Sequence, residues 1–79
     1  MTSKKLTINQ DRWLKAEFST LVKYVAWKTG ILQQVLIKYV VAAGQYYKDK
    51  YGFYKDKIVV FVKRVLWNIF KKRLQNNGQ

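Results

Sequence analysis

Residues 54–74 read YKDKIVVFVKRVLWNIFKKRL, and the choice between strand and helix over this stretch decides the fold. The β-branched run from Ile58 to Val62 would suit a strand. Strict alternation of polar and apolar residues is missing, however. At 100° per residue Ile58, Phe61, Val62, Val65, Leu66 and Ile69 gather on one side. Lys57, Lys63, Arg64 and Lys71 fall on the other. The segment is predicted to be an amphipathic helix over 54–74, the strongest in the chain.

Working back toward the N-terminus, the same period recurs. Proline is absent from all 79 residues, and Gly30, Gly44, Gly52 and Gly78 stand where helices would break. Thr7 to Gln10 has the T-x-x-Q form of a capping box, and Asp11 suits a first turn, so a helix is predicted over about 10–28 with Gly30 as its left-handed terminator. Leu14, Phe18, Leu21, Val22 and Val25 form its core stripe. A second helix, 31–43, is apolar round almost its whole circumference and is expected to be the central, most buried element. A third, short helix is predicted over 45–51. The tetrads Tyr47-Lys48-Asp49-Lys50 and Tyr54-Lys55-Asp56-Lys57 are identical, which reads as two exposed helical turns rather than a repeat architecture. The expected fold class is all-α: one compact domain over 1–79, a bundle of about four helices, with 1–8 and 75–79 flexible.

Composition narrows what such a bundle does. Sixteen Lys and Arg face four Asp and Glu, a net charge of +12, and there is no Cys or His. Metal sites built on thiolate or imidazole are thereby excluded, as is the usual general base. Asp11, Glu17, Asp49 and Asp56 each have a Lys or Arg within two residues, a setting opposite to the one that keeps a catalytic acid neutral. The chain is expected not to be an enzyme and to use no cofactor. Its charge points to a polyanionic partner, either an anionic lipid membrane or nucleic acid.

The aromatic residues discriminate between these partners. Trp67 departs from the core stripe of the last helix and stands beside Val60 among Lys63, Arg64 and Lys71. Trp13, Tyr24 and Trp27 line up with one another on a stripe roughly 90° or more from the core face of the first helix. Rings on a cationic face act as interfacial anchors at the headgroup level of a bilayer, or they wrap the edge of a small core. Nucleic acid would use the same residue types for phosphate contacts and base stacking. Thirteen lysines against three arginines suit a diffuse anionic surface better than base edges, and no helix-turn-helix spacing occurs. The predicted membrane-binding residues are Trp13, Tyr24, Trp27, Lys28, Lys63, Arg64, Trp67, Lys71 and Lys72. A small nucleic-acid-binding protein or a helical viral coat subunit is the alternative.

The stretch Lys23-Tyr24-Val25-Ala26-Trp27-Lys28-Thr29-Gly30-Ile31-Leu32, followed by Ala43-Gly44-Gln45, resembles the leaderless bacteriocins of the lacticin Q and aureocin type. The resemblance spans about residues 18–74, and Trp27, Lys28, Gly30 and Gly44 are the matching positions. Members are small, Lys- and Trp-rich, cysteine-free antibacterial proteins made without a leader. The resemblance implies a compact, saposin-like four-helix bundle that permeabilises bacterial membranes without a protein receptor, and it leaves oligomers on the membrane open. It further implies secretion without a conventional signal peptide and action at the target-cell membrane. Met1 to about Glu17, the longer last helix and the Tyr-Lys-Asp-Lys tetrads depart from the familiar members. No stretch approaches the ~18 to 20 apolar residues of a spanning helix.

Overall fold

A computed structural model describes residues 5–77, with side chains to residue 75. Four helices follow in order: α1 (Ile8–Glu17), α2 (Ser19–Thr29), α3 (Gln33–Tyr51) and α4 (Lys55–Asn77). The described residues contain no strand. The bundle is elongated, 48 × 22 × 20 Å, and α4 is its longest helix at 23 residues.

The capping box forms as expected. Thr7 Oγ1 accepts from the Gln10 N–H at 3.1 Å, and Gln10 Oε1 accepts from the Thr7 N–H at 3.0 Å. Two otherwise orphaned donors at the start of α1 are thereby satisfied. Asp11 lies in the first turn and pairs with Lys15 at 3.1 Å.

The predicted helix over 10–28 is two helices. The chain breaks at Phe18, whose backbone (φ −102°, ψ 8°) closes α1 and opens α2. The side-chain register survives, because the Phe18 N–H still reaches the Leu14 carbonyl and the Val22 N–H the Phe18 carbonyl. The core stripe therefore runs unbroken through the junction, with Leu14, Phe18, Val22 and Val25 all buried. Ser19 and Thr20 follow the break, residues whose hydroxyls compete for backbone partners and weaken a helix interior.

The predicted break at Gly44 does not exist. One helix, α3, replaces the two expected over 31–43 and 45–51. Gly44 is buried within it, where a Cβ would overlap Leu14 Cδ2. Glycine here permits α1 to lie close against α3, a use distinct from the left-handed backbone that terminates helices. Gly30 (φ 79°) and Gly52 (φ 103°) do serve that second use, their N–H groups returning to the Ala26 and Lys48 carbonyls.

The helix α3 packs against each of the other three and is central in that sense. It is not buried all round. Leu36, Val40, Ala43 and Gly44 form its buried stripe, while Tyr39 and Tyr46 face outward. Ile58, Val62, Leu66 and Phe70 complete the core from α4. Fully burying side chains of this size stabilises by roughly 1.5–3 kcal/mol each, the main force holding so small a bundle together.

Regular contacts reach into the described part of both segments expected to be flexible. Within the predicted flexible segment 1–8, the Leu6 N–H donates to Gln45 Oε1 at 2.8 Å and Leu6 packs against the core. Lys48 Nζ donates to the Lys5 carbonyl and to Gln10 Oε1. Residues 1–4 lie outside the described residues. At the other end α4 continues to Asn77 rather than stopping at 74, and residues 78 and 79 again lie outside the description.

Candidate functional site

The outward face of α4 carries Val60, Trp67 and Leu74 at seven-residue intervals, and all three are exposed. Two turns of helix separate each from the next, so they form one stripe along its length. Lys63, Arg64 and Lys71 interleave with it, and all are exposed. From residue 57 to 77 the helix contains no Asp or Glu. An apolar stripe is thus set in a cationic field, with Asp56, one turn before Val60, as the single acid on α4.

A run of rings ties α2 to this face. Trp27 lies 6.5 Å from Tyr24, Tyr24 lies 6.1 Å from Phe70, and Phe70 stacks with Trp67 at 5.3 Å and 24°. Trp27 is 75% exposed and Trp67 56%, whereas Phe70 between them is buried. Trp67 and Tyr24 thus stand on a buried ring, and Trp27 joins the run through Tyr24. Lys28 Nζ sits over both Trp27 and Tyr24, 4.7 and 5.9 Å from their centroids, within cation–π range.

The contact between the helices is pinned at the far end of α2. Arg73 Nε donates to the Thr29 carbonyl at 3.3 Å, satisfying a group that α2 leaves open at its C-terminus. Thr29 is buried, its hydroxyl donating to the Val25 carbonyl at 2.7 Å and accepting from the Ile31 N–H. No described buried side-chain nitrogen or oxygen lacks a partner.

Between α2 and α4, beside Trp67, an open groove of about 430 Å³ has an almost wholly apolar lining. Leu21 and Val25 come from α2, and Val60, Leu66 and Trp67 from α4. Lys63 and Arg64 complete it.

Of the residues predicted from sequence, Tyr24, Trp27, Lys28, Lys63, Arg64, Trp67 and Lys71 belong to this α2/α4 region. Trp13 does not. Its half-buried ring meets Phe53 edge-on at 5.7 Å, with Lys55 Nζ 5.1 Å from its centroid. Lys55 and Phe70 are fifteen residues apart on α4, about 22 Å at 1.5 Å per residue. Trp13 precedes Tyr24 by eleven residues and lies on α1, so although the helical register carries through Phe18 its ring meets Phe53 and, at the start of α4, Lys55 rather than Phe70. Lys72 is exposed but, five positions from Trp67, lies roughly 140° round the helix.

Other features were not anticipated. Leu74 and the linking role of Phe70 lie outside the residues predicted from sequence, although the 60/67/74 spacing is visible there. A second ring cluster joins α3 to α4: Tyr46 stacks on Phe61 at 5.8 Å, Tyr47 meets Phe61 at 5.5 Å and Tyr51 at 4.7 Å. Lys50 Nζ lies 5.7 Å from the Tyr46 centroid.

Among the described residues no group of three or more His, Cys, Asp or Glu side chains comes together in a way that could hold a metal. No described helix is long and apolar enough to cross a membrane. The chain matches no protein-family model, no curated protein and no solved structure.

Proposed function

We propose that this chain is a cationic, membrane-active antibacterial protein that binds anionic bacterial membranes and permeabilises them. The observation that carries the reading is the α2/α4 face. Exposed Trp27, Trp67, Val60 and Leu74 share a surface with Lys28, Lys63, Arg64 and Lys71, and no carboxylate interrupts α4 beyond Asp56. Lysines draw the bundle to an anionic leaflet, each contributing about 1 kcal/mol near the surface. Indole and phenol rings then settle at the headgroup level, while Lys and Arg stems lie along apolar surface and keep their charges in water.

Binding alone does not breach a bilayer. Since no described helix spans one, permeabilisation requires the helices to part and turn their buried stripes toward acyl chains. The charge assists, because +12 on one small bundle repels itself and so lowers the cost of opening.

The test is release of an entrapped dye from phosphatidylglycerol vesicles and from phosphatidylcholine vesicles, run beside growth and membrane potential of a panel of Gram-positive bacteria. The reading expects leakage confined to the anionic vesicles and depolarisation that precedes loss of growth. Tight binding to oligonucleotides with intact vesicles and unaffected cells would replace it with a nucleic-acid role.

A further inference from the structure

We infer that the groove between α2 and α4 is a lipid site that holds a segment of one acyl chain of an anionic phospholipid, with the headgroup phosphate between Lys63 and Arg64. This rests on the membrane reading and adds a defined pocket to it.

The groove's chemistry selects the occupant. Its volume, about 430 Å³, lies within the roughly 300–1,000 Å³ of small-ligand sites. Leu21, Val25, Val60, Leu66 and Trp67 present alkyl and ring surface, the stems of Lys63 and Arg64 extend it, and the charges of these two exposed side chains stand in solvent beside the groove. Polar groups pressed onto that surface would lose water without gaining a partner, which disfavours the backbone of an extended peptide and the edges of a nucleobase. An alkyl chain has no such groups. Stacking is also already taken on one side of Trp67, whose ring lies against Phe70.

Charge fixes the other end of the ligand. Lys63 and Arg64 are adjacent, both exposed, with Lys57 and Lys71 about two turns away on either side and Asp56 the only acid on α4. A zwitterionic headgroup would bring its own cation into this field, whereas phosphatidylglycerol brings only the phosphate. From Val60 to Trp67 is two turns, about 10 Å, so the groove covers part of a chain and leaves the remainder in the leaflet. The site therefore grips a lipid at the interface.

Monomeric lipid separates this proposal from general membrane adsorption. Dioctanoylphosphatidylglycerol, kept below its micelle concentration, is titrated into the full chain and followed by NMR of methyl and indole resonances. Dioctanoylphosphatidylcholine and glycerol 3-phosphate are run alongside. Saturable shifts at Leu21, Val25, Val60 and Trp67 are expected, with binding about tenfold weaker for each control. Lys63→Gln with Arg64→Gln should weaken the lipid about tenfold. Lys23→Gln with Lys38→Gln, which removes the same charge elsewhere, should leave it unchanged. All four side chains are exposed, so both variants are expected to keep the helical circular dichroism of the parent. The groove is overturned by the absence of saturable shifts, by equal binding of either control, or by equal loss in the two double variants. Binding of the parent protein to phosphatidylglycerol vesicles, measured in parallel, decides the broader reading by itself. Vesicle binding without monomer binding removes only the groove, and monomer binding without vesicle binding removes only the membrane role.

Discussion

Gly44 lies so close to Leu14 that a Cβ on it would overlap Leu14 Cδ2, and Leu14 has no exposed surface into which to retreat. This contact brings α1 against α3. Gly44→Ala offers a helix interior about 1 kcal/mol of added propensity, yet here it overpacks a closed core, which typically costs 1–3 kcal/mol. The expected net result is a loss of stability, seen as a lower urea midpoint at unchanged m-value. Leu14→Val in the same chain should recover part of it by vacating the contested space. A raised midpoint for Gly44→Ala alone would show that the two helices part freely.

Gly30 gives the opposite case. Nothing lies within 4 Å of a Cβ built there, but its φ is 79°. Gly30→Ala should therefore cost about 1–2 kcal/mol through backbone strain alone, and no second substitution nearby should rescue it. Gly30→Asn should cost less, since Asn enters this region more readily. Thermal melts of the two variants give the comparison, and equal midpoints would contradict it.

These two glycines also mark what was legible in the sequence and what was not. Both punctuate an apolar period, and sequence alone does not say whether glycine serves a left-handed turn or a close approach. Reading Gly44 as a turn split α3 in two. The opposite error occurred at Phe18, where hydrogen bonds to Leu14 and from Val22 carry the period across a real break. Four helices were expected and four occur, because the two errors offset in number. Core stripes were legible because burial imposes the 3.6-residue period directly. Leu14, Phe18, Val22 and Val25 are buried as expected, as are Ile58, Val62 and Leu66. The grouping of Tyr24 and Trp27 with Trp67 was not, since it depends on Phe70 of another helix bridging them. No spacing within one helix encodes that contact.

The three tryptophans should separate fold from surface. Trp27 stands largely in solvent, so Trp27→Ala should shift stability by no more than about 0.5 kcal/mol. Trp67→Ala forfeits a stacked pair, worth about 0.5–1.5 kcal/mol, and should still leave the helices intact. Trp13 is half-buried against Phe53, and Trp13→Ala should be the most destabilising of the three. In vesicle co-sedimentation the order should invert: Trp27→Ala and Trp67→Ala lose affinity for phosphatidylglycerol, and Trp13→Ala loses little. Unfolding of Trp67→Ala by circular dichroism would instead place that ring in the core.

Salt should divide the two forces that hold the protein on a membrane. The Debye length falls from about 8 Å at 0.15 M to about 3 Å at 1 M, which screens lysines attracted to a charged surface. Rings and alkyl surface buried among headgroups are not weakened by salt in this way. Affinity for phosphatidylglycerol vesicles should therefore drop steeply at first and then level off at a residue due to Trp27, Trp67, Val60 and Leu74. In Trp27→Ala combined with Trp67→Ala the low-salt drop should persist and the plateau should fall toward zero. A decline with no plateau in the parent protein would mean that charge alone holds it, the log-linear behaviour of a chain that neutralises phosphates by counterion release. The exposed rings on α2 and α4 would then need another explanation.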